Sequence, residues 1–408
     1  FLAAFAPCRA EVAFDSDFEC GNGTNFRQVG ENEYAFEIEP DTNSNDRQWY
    51  YFRVSGAAGQ TLTFRIQNVD QTNVTSHWRT ARPVASADGG ETWAHVSGSA
   101  EQVDTEFVFT HDIASDNELI AFHFPYTWTR VQQQIAEWKK HPAVSHSVVG
   151  ESYEGVPLEM LRITEPGTEG PKRGFWMVTR QHSAEVTGSW ATEGFIDFVL
   201  SDEPEALQFR EGAVLTVFPF ANPDGAMAGN YRDNALGVNC NRAWEDPAGV
   251  GSPEIAAIKA DIETDIAERM PFDYMADMHS TAGPTSHFAF HAREGVAPEK
   301  YHTPEKYHEH SQAFLDLIES INPAFDPGRG FSDMDNERIG SHWAARVHGA
   351  LSMTYESGYA KIEHGPSAEE YMTPEFHRGI GEAQARALVR FFNLVEPQKK
   401  SSWELLGE

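Results

Sequence analysis

The stretch Gly174-Phe175-Trp176-Met177-Val178-Thr179-Arg180-Gln181-His182-Ser183-Ala184-Glu185 decides how this chain is read. It opens with a short apolar run that gives way to polar residues, the length and composition of a buried strand. Beyond Glu185, the residues Trp190, Gly194, Phe195, Phe198 and Val199 fall roughly on one face, which predicts a helix start. His182 and Glu185 then stand where a strand hands over to a helix, the edge of an α/β sheet at which ligands bind. Three residues apart on a turn, an imidazole and a carboxylate can face one metal ion. H-x-x-E is also found with no ligand role, as a solvated histidine beside a helix start, so the rest of the chain has to decide.

Downstream of this stretch, strand and helix patterns alternate. Ala213–Phe220 reads as a buried strand, a helix is predicted from Ser252-Pro253, and Phe272–Met278 reads as another strand. A helix near Glu309–Ile321, a strand at Leu351–Tyr355 and a last helix from Pro374 to Phe392 follow. Upstream, Val131, Ile135 and Trp138 mark a helix, and Ser147–Thr164 reads as a hairpin about a glycine turn. The pattern predicts an α/β sheet domain with helices on its faces, over residues 126–396. Residues 11–125 differ. Short alternating runs such as Glu33–Glu39, Trp49–Val54, Thr61–Gln67, Glu106–Thr110 and Leu119–Phe124 are separated by Gly and Asp/Asn clusters, which predicts an antiparallel β-sandwich.

Acidic residues outnumber basic ones 62 to 31, a formal net charge of -31. Such a surface repels nucleic acid and anionic membranes, so no nucleic-acid partner is expected. Phe1–Pro7 resembles the end of a signal-peptide core with Ala10 as a cleavage point, so residues 1–10 are expected to be a remnant of it. A periplasmic or secreted location follows as the expectation, with the cytoplasm as the alternative; residues 397–408 read as a polar tail. No later apolar run is long enough to span a bilayer. Cys20 and Cys240 are too few for a disulfide framework. Asn22-Gly-Thr and Asn73-Val-Thr are sugar-acceptor patterns, relevant only in a eukaryotic secretory protein.

A catalytic zinc site built on His182 and Glu185 needs a second histidine. His279, in Asp277-Met278-His279-Ser280, follows a strand-like run directly and could reach the same sheet edge. His287 and His291 alternate with apolar residues and read as core or loop histidines, while His302, His308 and His310 lie in a Glu/Lys-rich segment and read as surface. Three further motifs lie between the halves: Asn222-Pro-Asp-Gly225, Gly229-Asn-Tyr-Arg232 and Gly237-Val-Asn-Cys-Asn-Arg-Ala-Trp244. With His182-x-x-Glu185 and Asp277-Met-His279, this set resembles the zinc carboxypeptidases of the carboxypeptidase A type. It is most similar to their cytosolic carboxypeptidase-like, or deglutamylase-like, branch, which carries a β-sandwich before the peptidase domain. The resemblance continues through Trp49–Val54, Arg82-Pro83, Gly90–Trp93 and Pro125–Thr127, so it spans nearly the whole chain.

The resemblance implies a mixed-sheet, three-layer α/β/α catalytic domain and one Zn2+ per chain, held by His182, Glu185 and His279, the two-histidine, one-glutamate ligand set of carboxypeptidase A. It implies that Glu356, in Thr354-Tyr355-Glu356-Ser357, takes a proton from the zinc-bound water and passes it to the leaving amine. Arg232 matches the arginine that stabilises the oxyanion, and Asn241 with Arg242 the pair that grips the terminal carboxylate of a peptide or protein. The expected activity is therefore removal of C-terminal residues. The alternatives are a zinc amidase acting on N-acyl amino acids or cell-wall peptides, and an inactive peptide-binding relative.

Two departures stand out. Asn239 occupies a position that is Asp in many relatives, where it accepts a hydrogen bond from a ligand imidazole. No tyrosine lies between Tyr307 and Tyr355, where the family places one over the substrate. Phe331 stands in that neighbourhood without a hydroxyl, so either the phenol is dispensable or another loop supplies it, such as that of Tyr359. Arg338 is the cation expected in the pocket for the last side chain, which fits acidic (Glu or Asp) termini.

Overall fold

The computed structural model describes residues 11–394, apart from 169, 248–249, 269, 282–286 and 364. The expected signal remnant and polar tail fall outside these residues.

The sequence Arg173–Thr179 forms the strand that centres the larger sheet, and every residue in it is buried. Its side chains divide with the period of two that a strand imposes: Phe175 and Met177 enter one apolar core, Trp176 and Val178 the other. The helices Val186–Val199, Pro374–Phe391 and Tyr307–Ile321 supply the first core, and Pro253–Ala267 packs on the opposite face through Ile255, Ile258 and Ile262. This gives the expected helix–sheet–helix layering. From one edge, the sheet runs Val144–Glu151, Pro157–Ile163, Ala213–Phe218, Arg173–Thr179, Tyr274–Thr281, Leu351–Gly358, His287–Ala292 and Phe325–Asp326; Phe331–Ser332 also pairs with His287–Ala292. Its four central strands are parallel, from Ala213–Phe218 to Leu351–Gly358. From Arg173–Thr179, the next strand in sequence lies on one side and the one after it on the other. The carboxyl ends of Arg173–Thr179 and Tyr274–Thr281 therefore flank the point where the order reverses, and a crevice opens there.

Two five-stranded sheets make up the N-terminal region. Their facing rings, including Phe14, Phe26, Phe36, Phe52 and Phe64, stack and tilt against one another at 4.8–6.4 Å between centroids. One pair is not antiparallel as expected: Glu33–Glu37 runs parallel to Thr61–Ile66. The intervening strand Tyr51–Ser55 belongs to the other sheet, so the chain crosses over and returns in the same direction. Two short 3-10 turns, Val69–Gln71 and Thr75–Arg79, also interrupt the strands. The sandwich does not end at its own surface. Its Phe122 and Phe124, with Tyr126, join Trp190 and Tyr359 of the catalytic region in one continuous apolar core.

Cys20 and Cys240 are both buried and unpaired. Asn22 of the first sugar-acceptor pattern is buried and donates to Gly229 O at 3.0 Å. Among the described residues, no helix is long and apolar enough to cross a membrane.

Candidate metal centre and cleft

The strand Arg173–Thr179 ends on Arg180, which adopts the left-handed region at φ 67°. A non-glycine residue held there is strained, and its side chain shows what holds it. The buried guanidinium donates to Ser183 O at 2.7 Å, Tyr126 O at 2.7 Å and Ser189 Oγ at 3.2 Å, wrapping the segment that follows. That segment turns His182 inward. Glu185 precedes the helix Val186–Val199 but does not cap it, which leaves its carboxylate to face the crevice. His279 arrives from the neighbouring parallel strand, in register with Glu356 on the next.

His182 Nδ1 lies 2.8 Å from Glu185 Oε1, His279 Nδ1 lies 2.6 Å from Glu185 Oε2, and the two Nδ1 atoms are 3.1 Å apart. The outer nitrogens are both engaged: His182 Nε2 with Asn239 Oδ1 at 3.0 Å, and His279 Nε2 with Asp277 Oδ1 at 2.8 Å. An oxygen acceptor on each Nε2 places the ring hydrogen there and turns both Nδ1 lone pairs towards one point. All three residues are at most 5% exposed. Among the described residues, they are the one group of three His, Cys, Asp or Glu side chains whose ligand atoms converge.

The electrostatics call for a cation. Burial alone would lower His279, yet Asp277 and Glu185 on either side hold its pKa well above the ordinary value. Burial alone would raise Glu185, yet His182 and His279 hold it below. Burial takes His182 down to about 4. The raised pKa of His279 marks a place where positive charge is favoured. With a cation in place of its inner proton, two imidazoles and a carboxylate make the donor set of a catalytic zinc site with an open position, so the residues fit the ion.

A cleft of about 530 Å3 opens over this cluster, lined among others by Tyr231, Arg232, Asn241, Arg242, Arg293, Phe331 and Glu356. Burial and the charge of Glu185 push Glu356 up to about 8. Arg242 is exposed, and its Nη1 donates to Asn241 O at 2.7 Å; it has no carboxylate partner among the described residues. Asn241 is more committed than expected. Its Nδ2 donates to Asp277 Oδ2 at 3.1 Å and its Oδ1 accepts from Gly340 N at 2.9 Å, so much of its bonding capacity serves the protein itself. Arg338 stands exposed at the rim, where its Nε donates to Arg242 O at 3.1 Å; it is not among the lining residues. Arg293 lines the cleft instead, paired with Asp333 at 2.9 Å. Tyr359 gives its hydroxyl to Ala184 O at 3.0 Å, whereas Tyr231 is the tyrosine that lines the cleft.

Sequence reasoning missed the partner role of Asp277. The signal was present, since residues two apart on a strand share a face. His287 and His291 are buried strand residues, as a core reading expects, but His310, read as surface, is also buried.

Comparison with known proteins agrees with this geometry. A family described as "Cytosolic carboxypeptidase N-terminal domain" matches residues 14–123, and one described as "Zinc carboxypeptidase" matches residues 131–320. Residues 131–320 belong to the zinc carboxypeptidase family. Among relatives of this carboxypeptidase, cytosolic carboxypeptidase 6 of Caenorhabditis elegans is 25% identical over 95% of this chain and 88% of the relative. The human protein of that name is 31% identical over 62% of this chain, which spans about half the human length, 54%. In structure, a metallo-carboxypeptidase from Burkholderia cenocepacia shares the fold with a TM-score of 0.85 at 24% identity, covering 93% of this chain and 98% of that one. The carboxypeptidase is therefore a zinc-dependent peptide hydrolase.

Proposed function

We propose that this carboxypeptidase releases single residues from the C-termini of peptides or proteins. The observation that carries the reading is Arg242: an arginine without a carboxylate partner among the described residues opens into the same cleft as the His182–Glu185–His279 cluster. A planar guanidinium there suits a terminal carboxylate, with Asn241 bracing the loop beneath it. Zinc, when bound, supplies Lewis acidity to the scissile carbonyl and to water. Glu356 takes the proton of the attacking water and delivers it to the leaving amine. Burial and the nearby Glu185 raise its pKa, and a divalent charge beside it would draw it back towards neutrality, where a proton is both accepted and returned. Arg232 offers its guanidinium to the oxyanion that grows as the tetrahedral state forms.

For the last side chain, the nearby cations are Arg293 at the cleft wall and Arg338 at its rim. A preference for acidic termini would use Arg293 once a substrate carboxylate replaces Asp333, with Arg338 as the outer charge. The relatives' names favour the cytoplasmic alternative over a periplasmic or secreted location.

The test is a panel of peptides differing only in the C-terminal residue, assayed with zinc and with a chelator. Metal-dependent release of single C-terminal residues is expected. Internal cleavage, or activity indifferent to chelation, would overturn the proposal.

A further inference from the structure

The loop that carries Arg232 is built against the β-sandwich. Asp41, buried at 3% exposure, accepts three consecutive backbone N–H groups: Tyr231 at 2.5 Å on Oδ1, and Arg232 at 2.7 Å and Asp233 at 2.8 Å on Oδ2. Its neighbours extend the seam. The Thr42 amide and hydroxyl donate to Asn230 Oδ1 at 2.9 and 3.1 Å, and Asn43 Nδ2 donates to Ala235 O at 2.8 Å. Gly229 and Gly237 adopt φ of 76° and 75°, and a Cβ on either would stand 2.2 Å from Gly21 O or 2.4 Å from Asn43 O. Glycine alone permits so close an approach in that conformation.

The same loop grips the metal-binding segment. Tyr231 O accepts from Ala184 N at 2.9 Å, Arg232 O from Ser183 N at 3.3 Å, and Asp233 O from Ser183 Oγ at 2.9 Å. The guanidinium of Arg232 is held more loosely than its backbone. Asp46 Oδ2, 3.9 Å from its Nε, is the one carboxylate within ion-pair range among the described residues. Where that guanidinium stands is therefore set largely by the peptide units that Asp41 fixes.

We infer that Asp41 is the positioning residue for Arg232, so that the β-sandwich is a working part of the active site and not only a wall beside it. A carboxylate receiving three amides makes charge-assisted hydrogen bonds, which hold a backbone more firmly than neutral ones. The inference rests on the oxyanion role proposed above for Arg232.

Four full-length proteins test it: the parent, Asp41→Ala, Arg232→Ala and the double variant, each measured for kcat, KM, zinc content and thermal midpoint. Asp41→Ala should lower kcat by about tenfold to a hundredfold, the effect of a misplacement of about 1 Å, with KM and zinc content near parental. On the Arg232→Ala background the same change should cost less than about twofold, because the group it positions is gone. An equal fall in both backgrounds, or a loss that follows zinc content, overturns the role of Asp41. Parental kcat in Arg232→Ala overturns the reading of Arg232 itself, and with it the inference. Should Asp41→Ala fail to fold, Asp41→Asn carries the same cycle: its amide nitrogen cannot accept the Tyr231 N–H and its remaining bonds lose their charge. Its kcat should fall with Arg232 present and by less than about twofold without it, and parental kcat overturns the role of Asp41.

Discussion

Asn239→Asp should tighten zinc binding by about tenfold, or ~1.4 kcal/mol. The site contains its own comparison. His279 gives its Nε2 hydrogen to a carboxylate, Asp277, at 2.8 Å, while His182 gives its own to a neutral amide, Asn239, at 3.0 Å. A carboxylate behind an imidazole makes the inner nitrogen a stronger donor, and such partners are worth roughly ten- to a hundredfold in affinity. Two features of the structure place this change at the lower end. Asn239 is partly exposed, so water screens the new charge, and Glu185 and Asp277 already make the cluster negative. The substitution keeps the acceptor geometry, and no donor role of the Asn239 amide is seen among the described residues. The assay is competition against a chromophoric chelator, with parent and variant in the same buffer at pH ~8 so that proton competition for His279 is common to both. Asp277→Asn, the mirror change, should weaken binding more than Asn239→Asp strengthens it, because Asp277 also accepts from Gln181 and Asn241. Unchanged or weaker zinc affinity in Asn239→Asp would refute the reasoning.

Glu356→Gln should lower kcat by about a hundredfold or more while zinc content stays parental, and a fall in zinc content equal to the fall in rate would make it a ligand rather than a base. Arg293→Ala should reduce release of a C-terminal Glu by about tenfold relative to Leu, with a smaller effect for Arg338→Ala at the rim; equal losses on both peptides would remove the acidic preference. Stability should decline with acid. Burial holds His123 and His377 well below their ordinary pKa and takes His287 down to about 3, so all three are neutral when folded. A depressed folded pKa stabilises above the unfolded value of 6.5, and that contribution fades as pH falls from 6.5 towards the folded value. Each histidine should contribute about 1.4 kcal/mol per pH unit in that window. Denaturant melts between pH ~7.5 and ~5 measure the slope. Both ring nitrogens of His123 lack a partner among the described residues, so His123→Leu should flatten the slope by about one proton, and an unchanged slope would exclude it.

Much of the catalytic region was legible because its ligands sit at the ends of strands buried on both faces. Such strands leave short apolar runs, and the residues that follow them, His182 and His279, could be picked out as candidates, whereas the part given to Glu356 came from the family resemblance. The hairpin of Val144–Glu151 with Pro157–Ile163 was equally plain, from a glycine turn between two strand patterns. What stayed hidden acts through the backbone or across long separations. Asp41 binds amides 190 to 192 residues away, and an amide leaves no mark on composition. The resemblance made Asn241 a substrate ligand, and it could not tell that the side-chain carbonyl also receives Gly340 N from 99 residues on. Arg338 followed the same pattern: its charge could be read, but not that a backbone carbonyl would hold it at the rim.

The apolar core that runs unbroken from Phe122 and Phe124 to Trp190 and Tyr359 gives the two halves a shared interior, and halves that share one are expected to unfold together. Ligand linkage then reaches beyond the atoms that touch the ion. Zinc that binds only the native form stabilises whatever unfolds with it, so a chelator should soften the sandwich together with the peptidase. Reciprocity runs the other way as well: a lesion among Phe36, Phe52 and Phe64 would raise the apparent dissociation constant of a metal bound in the other half.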